Sequence, residues 1–224
     1  MIIERRVYEV VPGKVREFVD LVEHEELGML GPRISHIIGY YCTEVGAIDQ
    51  VIGIWRFASF EERETCRREF RGHVNFPALA PRLLPLLRGQ FCQIQMEVPL
   101  DQPAARCGAV RPPTTPRDTV HAPWRRDVLV EETITTVAPG KMPHYVDALA
   151  GAEPSARQHP GHAPIIGCFV SDIGQLNELT VLRRVADWPA ARSRLDGEEI
   201  PGEMQAMMVS RTSRLLCPVP FFRM

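Results

Sequence analysis

The chain has 224 residues, room for two domains that each bury a core. Its formal net charge is −2, and no basic run interleaves with aromatics, which argues against nucleic acid as a partner. No apolar run approaches the roughly 20 residues of a membrane-spanning helix. The N-terminus enters a strand-like run at once, without the parts of a signal peptide, so a cytoplasmic protein with no membrane partner is expected.

Ile3 to Val11 is rich in Ile, Val and Tyr and reads as a strand that Pro12-Gly13 ends. From Lys14, apolar residues at 15, 18, 19, 21 and 22 fall at helical spacing, and a helix should run to about Leu27. Ile37 to Thr43 and Gln50 to Phe57 form a hairpin about the Gly46-Ala47 turn. Ser59 caps the next helix, with Glu62 three residues on completing a capping box. A short helix around Pro77 to Leu87 precedes a fourth strand, Phe91 to Val98. Pro99 to Pro123 is too rich in proline for helix or central strand and reads as an extended linker. The same order of elements then recurs from about Asp127, closing with a shorter strand at Arg211 to Leu216.

The recurrence is visible residue by residue. The chain has only two lysines, Lys14 and Lys141, and both follow Pro-Gly. Gly39 to Gly46 lines up with Gly167 to Gly174, Ile48 to Ile52 with Leu176 to Thr180, and Trp55 with Arg183. The offset moves only from 127 to 128, which indicates a duplicated unit. The order β-α-β-β-α-β is the ferredoxin-like, split βαβ unit. Its two helices cover one sheet face and leave the other to be buried. The expected fold is α+β: two ferredoxin-like units, 1–98 and 127–224, joined by the linker 99–126 and packed sheet to sheet as an intramolecular α+β barrel.

Cys42, Cys66, Cys92, Cys107, Cys168 and Cys217 form no Cys-x-x-Cys, so free thiols in a reducing compartment are expected. Preference for arginine over lysine suggests a GC-rich bacterial genome. No Ser-His-Asp arrangement, Gly-x-Ser-x-Gly or Gly-x-Gly-x-x-Gly appears, and no cofactor is expected. His159-Pro-Gly-His162 reads as a solvated loop rather than a metal site.

Arg6-Val7-Tyr8 leading to Pro12-Gly13-Lys14, then Gly39-Tyr40-Tyr41, Glu44-Val45-Gly46, Asp49-Gln50 and Trp55, resemble the NIPSNAP family of the dimeric α+β barrel superfamily. The resemblance covers most of 3–97. The second unit departs from it, with Thr133 and Thr135 for Arg6 and Tyr8 and Arg183 for Trp55. The resemblance implies a NIPSNAP-like fold throughout and a site carried by the first unit. Relatives in the superfamily include cofactor-free monooxygenases, cyclases, isomerases and haem-binding proteins.

Strand period two places Glu4, Arg6, Tyr8 and Val10 on one face. That face is either a buried Arg–Glu pair fixing the two sheets or a cavity wall with Arg6 as anion anchor and Tyr8 as donor. Glu44 and Gln50 flank the hairpin turn, and His24 and His36 bracket the first helix-to-strand loop. The leading expectation is a small molecule in the barrel cavity, bound by Arg6, Gln50 and Trp55, with Tyr8, Glu44, His24 and His36 as proton-handling candidates. This would suit a cofactor-free enzyme of cyclase, isomerase or monooxygenase type in bacterial secondary metabolism. A non-enzymatic binding or scaffold protein, homo-oligomeric through its apolar helical faces, and a haem-binding barrel stand as alternatives.

Overall fold

A computed structural model describes residues 1–100, 108–110, 128–156, 162–197 and 200–224. The elements of the first half are β1 (Ile2–Val10), α1 (Val15–Leu21), α2 (Leu27–Leu30), β2 (Ile37–Val45), β3 (Gln50–Phe57), α3 (Phe60–Arg71), α4 (Phe76–Leu83) and β4 (Leu87–Glu97). A two-residue strand β5 (Ala109–Val110) follows. The second half has β6 (Leu129–Val137), α5 (Met142–Ala156), β7 (Ile165–Ile173), β8 (Glu178–Val185), α6 (Trp188–Gly197), α7 (Gly202–Met207) and β9 (Met208–Pro218), then β10 (Phe222–Arg223).

Eight strands close a barrel in the order β1-β3-β2-β9-β6-β8-β7-β4. Each half contributes the ferredoxin-like order, β4-β1-β3-β2 and β9-β6-β8-β7, and the halves join edge to edge through β2·β9 and β4·β7. Closure removes the four edges that two separate sheets would expose. The fold is the expected α+β barrel.

The halves share their irregular backbone positions as well. Gly46 and Gly174 have φ of +117° and +114°, and Asp49 and Asn177 both have φ of +60°. Only glycine takes the first of these without strain, and Asp and Asn tolerate the second better than most side chains. The two turns are therefore the same turn.

Three local features differ from expectation. The helix after Lys14 does not stop at Leu27. It runs through a π-helical turn, Val22–Glu26, into α2. The last strand is longer than Arg211–Leu216 and matches β4 at 11 residues, because it must pair with both β2 and β6. Within the expected linker, Ala109–Val110 pairs with Phe222–Arg223, while 101–107 and 111–127, including Cys107, lie outside the described residues. The expected cap is present: Ser59 Oγ accepts from the Glu62 amide at 3.2 Å, and Glu62 accepts in turn from the amide of Ala58. Cys42, Cys66, Cys92, Cys168 and Cys217 form no disulfide. No helix among the described residues is long and apolar enough to cross a membrane.

Strand alternation decides which residues meet inside the barrel. Arg5 and Val7 of β1 stand opposite Ile54 and Ile52 of β3 and share the inner face with Glu132 and Ile134 of β6. Arg5 donates to the two oxygens of Glu132 from Nε at 2.8 Å and Nη2 at 2.9 Å, which ties one half to the other across the barrel. Arg6 and its neighbours of like parity face outward, beneath the helices. The reading of the Glu4–Arg6–Tyr8 face as wall of the barrel cavity is thus corrected: the pair joining the halves is Arg5–Glu132, one residue over, and a shift of one residue in a strand exchanges its two faces.

A polar cluster between sheet and helices in the first half

The helical segment 15–30 packs its stripe of Phe18, Val19, Val22, Leu27 and Leu30 on the outer face of the first sheet. Tyr8 meets Phe18 there, ring centroids 5.3 Å apart. Glu26 lies on the same stripe, four residues after Val22, and is buried. It belongs to the π-helical turn, a local widening that is frequent at functional sites.

Glu4, in the middle of β1, is fully buried and gathers three guanidinium groups. Its carboxylate accepts from Arg6 Nε at 2.7 Å, Arg63 Nε at 2.9 Å and Arg67 Nη2 at 2.7 Å, and from the Cys92 thiol at 3.1 Å. Burial opposes its charge, but the hydrogen bond and charge of Arg6, with help from Cys92 and Arg67, outweigh burial and lower the pKa to about 2. Arg63 and Arg67 come from α3, so this node pins that helix to the sheet. Burial, and after it the charges of Arg6 and Arg63, lower the pKa of Arg67; three guanidinium groups face the carboxylates of Glu4 and Glu64 here.

Arg6 then reaches across the cluster. Its Nη1 donates to Tyr8 Oη at 3.4 Å, and its guanidinium lies 5.3 Å from the centroid of the Trp55 ring. Trp55 and Tyr40 are buried, and neither the indole Nε1 nor the Tyr40 hydroxyl has a hydrogen-bond partner. Burial raises the pKa of both tyrosines, so each stays a neutral donor. Burial also lifts the Glu26 carboxyl to about 7, with only a modest opposing pull from Arg6. Gly53, opposite Arg6 on β3, lets Trp55 and Tyr40 approach the strand closely. A Cβ there would stand 3.2 Å from Trp55 Nε1 and 3.3 Å from the Tyr40 ring.

Buried polar groups without partners are uncommon in native proteins, and each asks for an explanation. Here two donors without partners and one carboxyl near neutrality lie within reach of the Arg6 charge. The arrangement can hold a small molecule with an acidic oxygen, donate to that oxygen, and exchange a proton through Glu26.

The second half fills the same place differently. At the positions of Arg6, Tyr8, Tyr40, Gly53 and Trp55 it has Thr133, Thr135, Cys168, Val181 and Arg183. Glu153 stands where Glu26 stands, but Arg183 pairs with it and also donates to the Ala163 carbonyl at 3.0 Å. A valine side chain occupies the Gly53 position, and an ion pair replaces the neutral acid.

Of the residues expected from sequence, Arg6, Tyr8 and Trp55 come together in this cluster. Gln50 belongs to the barrel mouth, where it accepts from Arg214 Nη1 at 2.6 Å. Glu44 is exposed at the end of β2. His24 is exposed, its Nδ1 at 2.8 Å from the Asp20 carbonyl oxygen. His36 stacks on Phe57 at 4.9 Å and sits 3.0 Å from the Arg56 carbonyl oxygen. None of these three is brought to the cluster. Glu4 was grouped with Arg6 as one partner of a buried Arg–Glu pair, which the structure contains, whereas Glu26 and Tyr40 were not singled out as site residues. The available signal was phase, since Glu26 falls on the apolar stripe of its helix and Glu153 recurs 127 residues later.

The chain is similar to known proteins in sequence and in fold. A family model described as NIPSNAP matches residues 3–100. The human protein NipSnap homolog 3A is 26% identical over 97% of this chain and 83% of its own length. The crystal structure of a NIPSNAP family protein from Agrobacterium tumefaciens is 31% identical, covers 43% of this chain and 92% of its own, and has a TM-score of 0.42. A putative monooxygenase from Fusobacterium nucleatum shares the fold along 97% of this chain and 92% of its own, at 8% identity and a TM-score of 0.61.

Proposed function

The chain belongs to the NIPSNAP family, and we propose that its first half binds a small planar molecule with an acidic oxygen, a phenol or enol, between sheet and helices. The observation that carries this reading is Glu26, a buried carboxyl with a pKa of about 7 whose charge acts on the unpartnered Tyr40 hydroxyl. Tyr40 and Trp55 would donate to the ligand oxygen, Arg6 would stabilise the anion, and the Glu26 carboxylate would take the proton. Proton abstraction is the step that cyclase, isomerase and cofactor-free monooxygenase chemistry share, so this is the step assigned to the chain. The fold shared with a protein described as a putative monooxygenase is compatible with it. This reading puts the ligand under the helices rather than in the barrel cavity expected at first.

The test is fluorescence titration with 2-naphthol as probe, which stacks as a planar ring and presents one acidic hydroxyl. Wild type is expected to bind it. Tyr40→Phe and Glu26→Gln should weaken binding about tenfold or more, the size of a hydrogen bond to a charged group. Thr133→Ala, at the matching place in the second half, should leave binding unchanged. Arg6→Ala should weaken binding with a moderate loss of stability, because Arg63 and Arg67 still neutralise Glu4. Equal binding by all variants would remove the site.

A further inference from the structure

The barrel has a second opening, away from the space under the helices. Every neighbouring strand pair is antiparallel, so β1, β2, β6 and β7 run one way and β3, β4, β8 and β9 the other. The β2–β3 and β7–β8 turns therefore stand at the same end. There a cavity of about 480 Å³ enters the barrel, a volume suited to a small ligand. Its polar lining includes Arg5, Glu132, Arg214 and Gln50; its apolar lining includes Val7, Ile134 and Phe91.

The polar side carries two guanidinium groups and one carboxylate. Glu132 accepts from Arg5 and from Arg214 Nε at 2.5 Å, and Arg214 also holds Gln50. Burial works against the Glu132 charge, yet Arg5 and Arg214 keep its pKa at about 2, so two guanidinium groups face one carboxylate in the lining, with the Glu178 charge also acting on Arg5 from outside it. Arg5 bonds to Glu132 through Nε and Nη2 and keeps Nη1 for another acceptor. The mirrored place lacks the second guanidinium. There Gln93 stands where Arg214 does, donating to Ser171 Oγ at 3.1 Å and Glu178 at 2.9 Å.

The rim is apolar. Phe91 is 59% exposed and Ile48, beside the cavity-lining Ala47, is 66% exposed; Ile173 and Leu176 repeat the pattern on the other turn at 53% and 55%. Exposed apolar side chains gathered around an opening suit the hydrocarbon part of a ligand. We propose that this cavity binds a medium-chain carboxylic acid, its carboxylate at Arg5 and Arg214 and its chain leaving past Phe91 toward Ile48.

Octanoate is the probe, with octylamine and methyl octanoate for comparison, read by calorimetric titration and by thermal unfolding. Octanoate should raise the melting temperature of wild type in a concentration-dependent way. Methyl octanoate and octylamine should bind at least about tenfold more weakly for want of the anion. Ala47→Trp, a change in an exposed turn that plugs the mouth, should abolish octanoate binding and keep 2-naphthol binding. Arg214→Gln leaves Glu132 paired with Arg5 and should weaken octanoate about tenfold. Gly53→Val should leave octanoate binding intact. Octylamine binding as well as octanoate, an unchanged dissociation constant in Ala47→Trp, or loss of octanoate binding in Gly53→Val would each overturn the proposal.

Discussion

Glu132→Ala is expected to lower the unfolding free energy by about 3–5 kcal/mol, the usual consequence of removing one partner from a buried ionic cluster. The carboxylate is fully buried between Arg5 of the opposite half and Arg214 of the neighbouring strand. Its removal leaves Arg214 with the Gln50 amide and Arg5 with only the more distant charge of Glu178 for relief. Replacing all three at once, Arg5→Met with Glu132→Leu and Arg214→Leu, should recover most of the loss, since the desolvation of the charges disappears with them. Urea unfolding measures both. A Glu132→Ala protein within about 1 kcal/mol of wild type, the worth of an exposed pair, would mean that the cross-barrel cluster does not hold the halves together.

Glu26→Gln is expected to change stability in the opposite direction, and only above mildly acidic pH. The folded pKa of Glu26 is raised from 4.5 to about 7, so the unfolded chain loses its proton first as pH rises. Stability should therefore fall between those values by about 3 kcal/mol, at 1.36 kcal/mol per pKa unit, and then level off. Removing the carboxyl removes that slope, so Glu26→Gln should melt higher than wild type above neutral pH and about the same near pH 4.5. Glu4 and Glu132 act with the reverse sign. Their folded pKa values are lowered to about 2, so the stability they contribute is present above 4.5 and is lost as pH falls toward 2. Calorimetric melting across this range separates the two effects. A wild type whose melting temperature is flat from mildly acidic to neutral pH would contradict the burial of an uncompensated Glu26. If Glu26→Gln gains stability and loses 2-naphthol, the acid is retained for what it binds rather than for folding.

Much of this was legible in the residues. Two lysines after two Pro-Gly turns located the second half, and the Gly46 and Gly174 turns have nearly the same φ. Period two grouped Glu4, Arg6 and Tyr8, and the Arg6–Trp55 contact brings the family pattern to one place. What period two could not supply was the side of the sheet. Both faces of β1 carry an arginine, so the pattern alone does not say which lies under the helices, and the wrong one was placed in the barrel. Glu26 was hidden differently. It sits in an acidic run, Glu23 to Glu26, that reads as solvated helix surface, and the π-helical turn that frames it has no compositional mark. His24, His36 and Glu44 were chosen for their loop-end positions, and the structure shows them exposed or bound to backbone carbonyls.

The central claim is that Glu26 is a ligand-facing acid titrating near neutrality under the helices of the first half. Carbon NMR of protein labelled at the glutamate carboxyl tests it most directly, followed from mildly acidic to mildly alkaline pH with and without 2-naphthol. One carboxyl should titrate at about 7, vanish from the spectrum of Glu26→Gln, and move when 2-naphthol binds wild type but not when it is added to Gly53→Val. A Glu26 resonance with a midpoint near the ordinary 4.5, or one unmoved by saturating 2-naphthol, would contradict it.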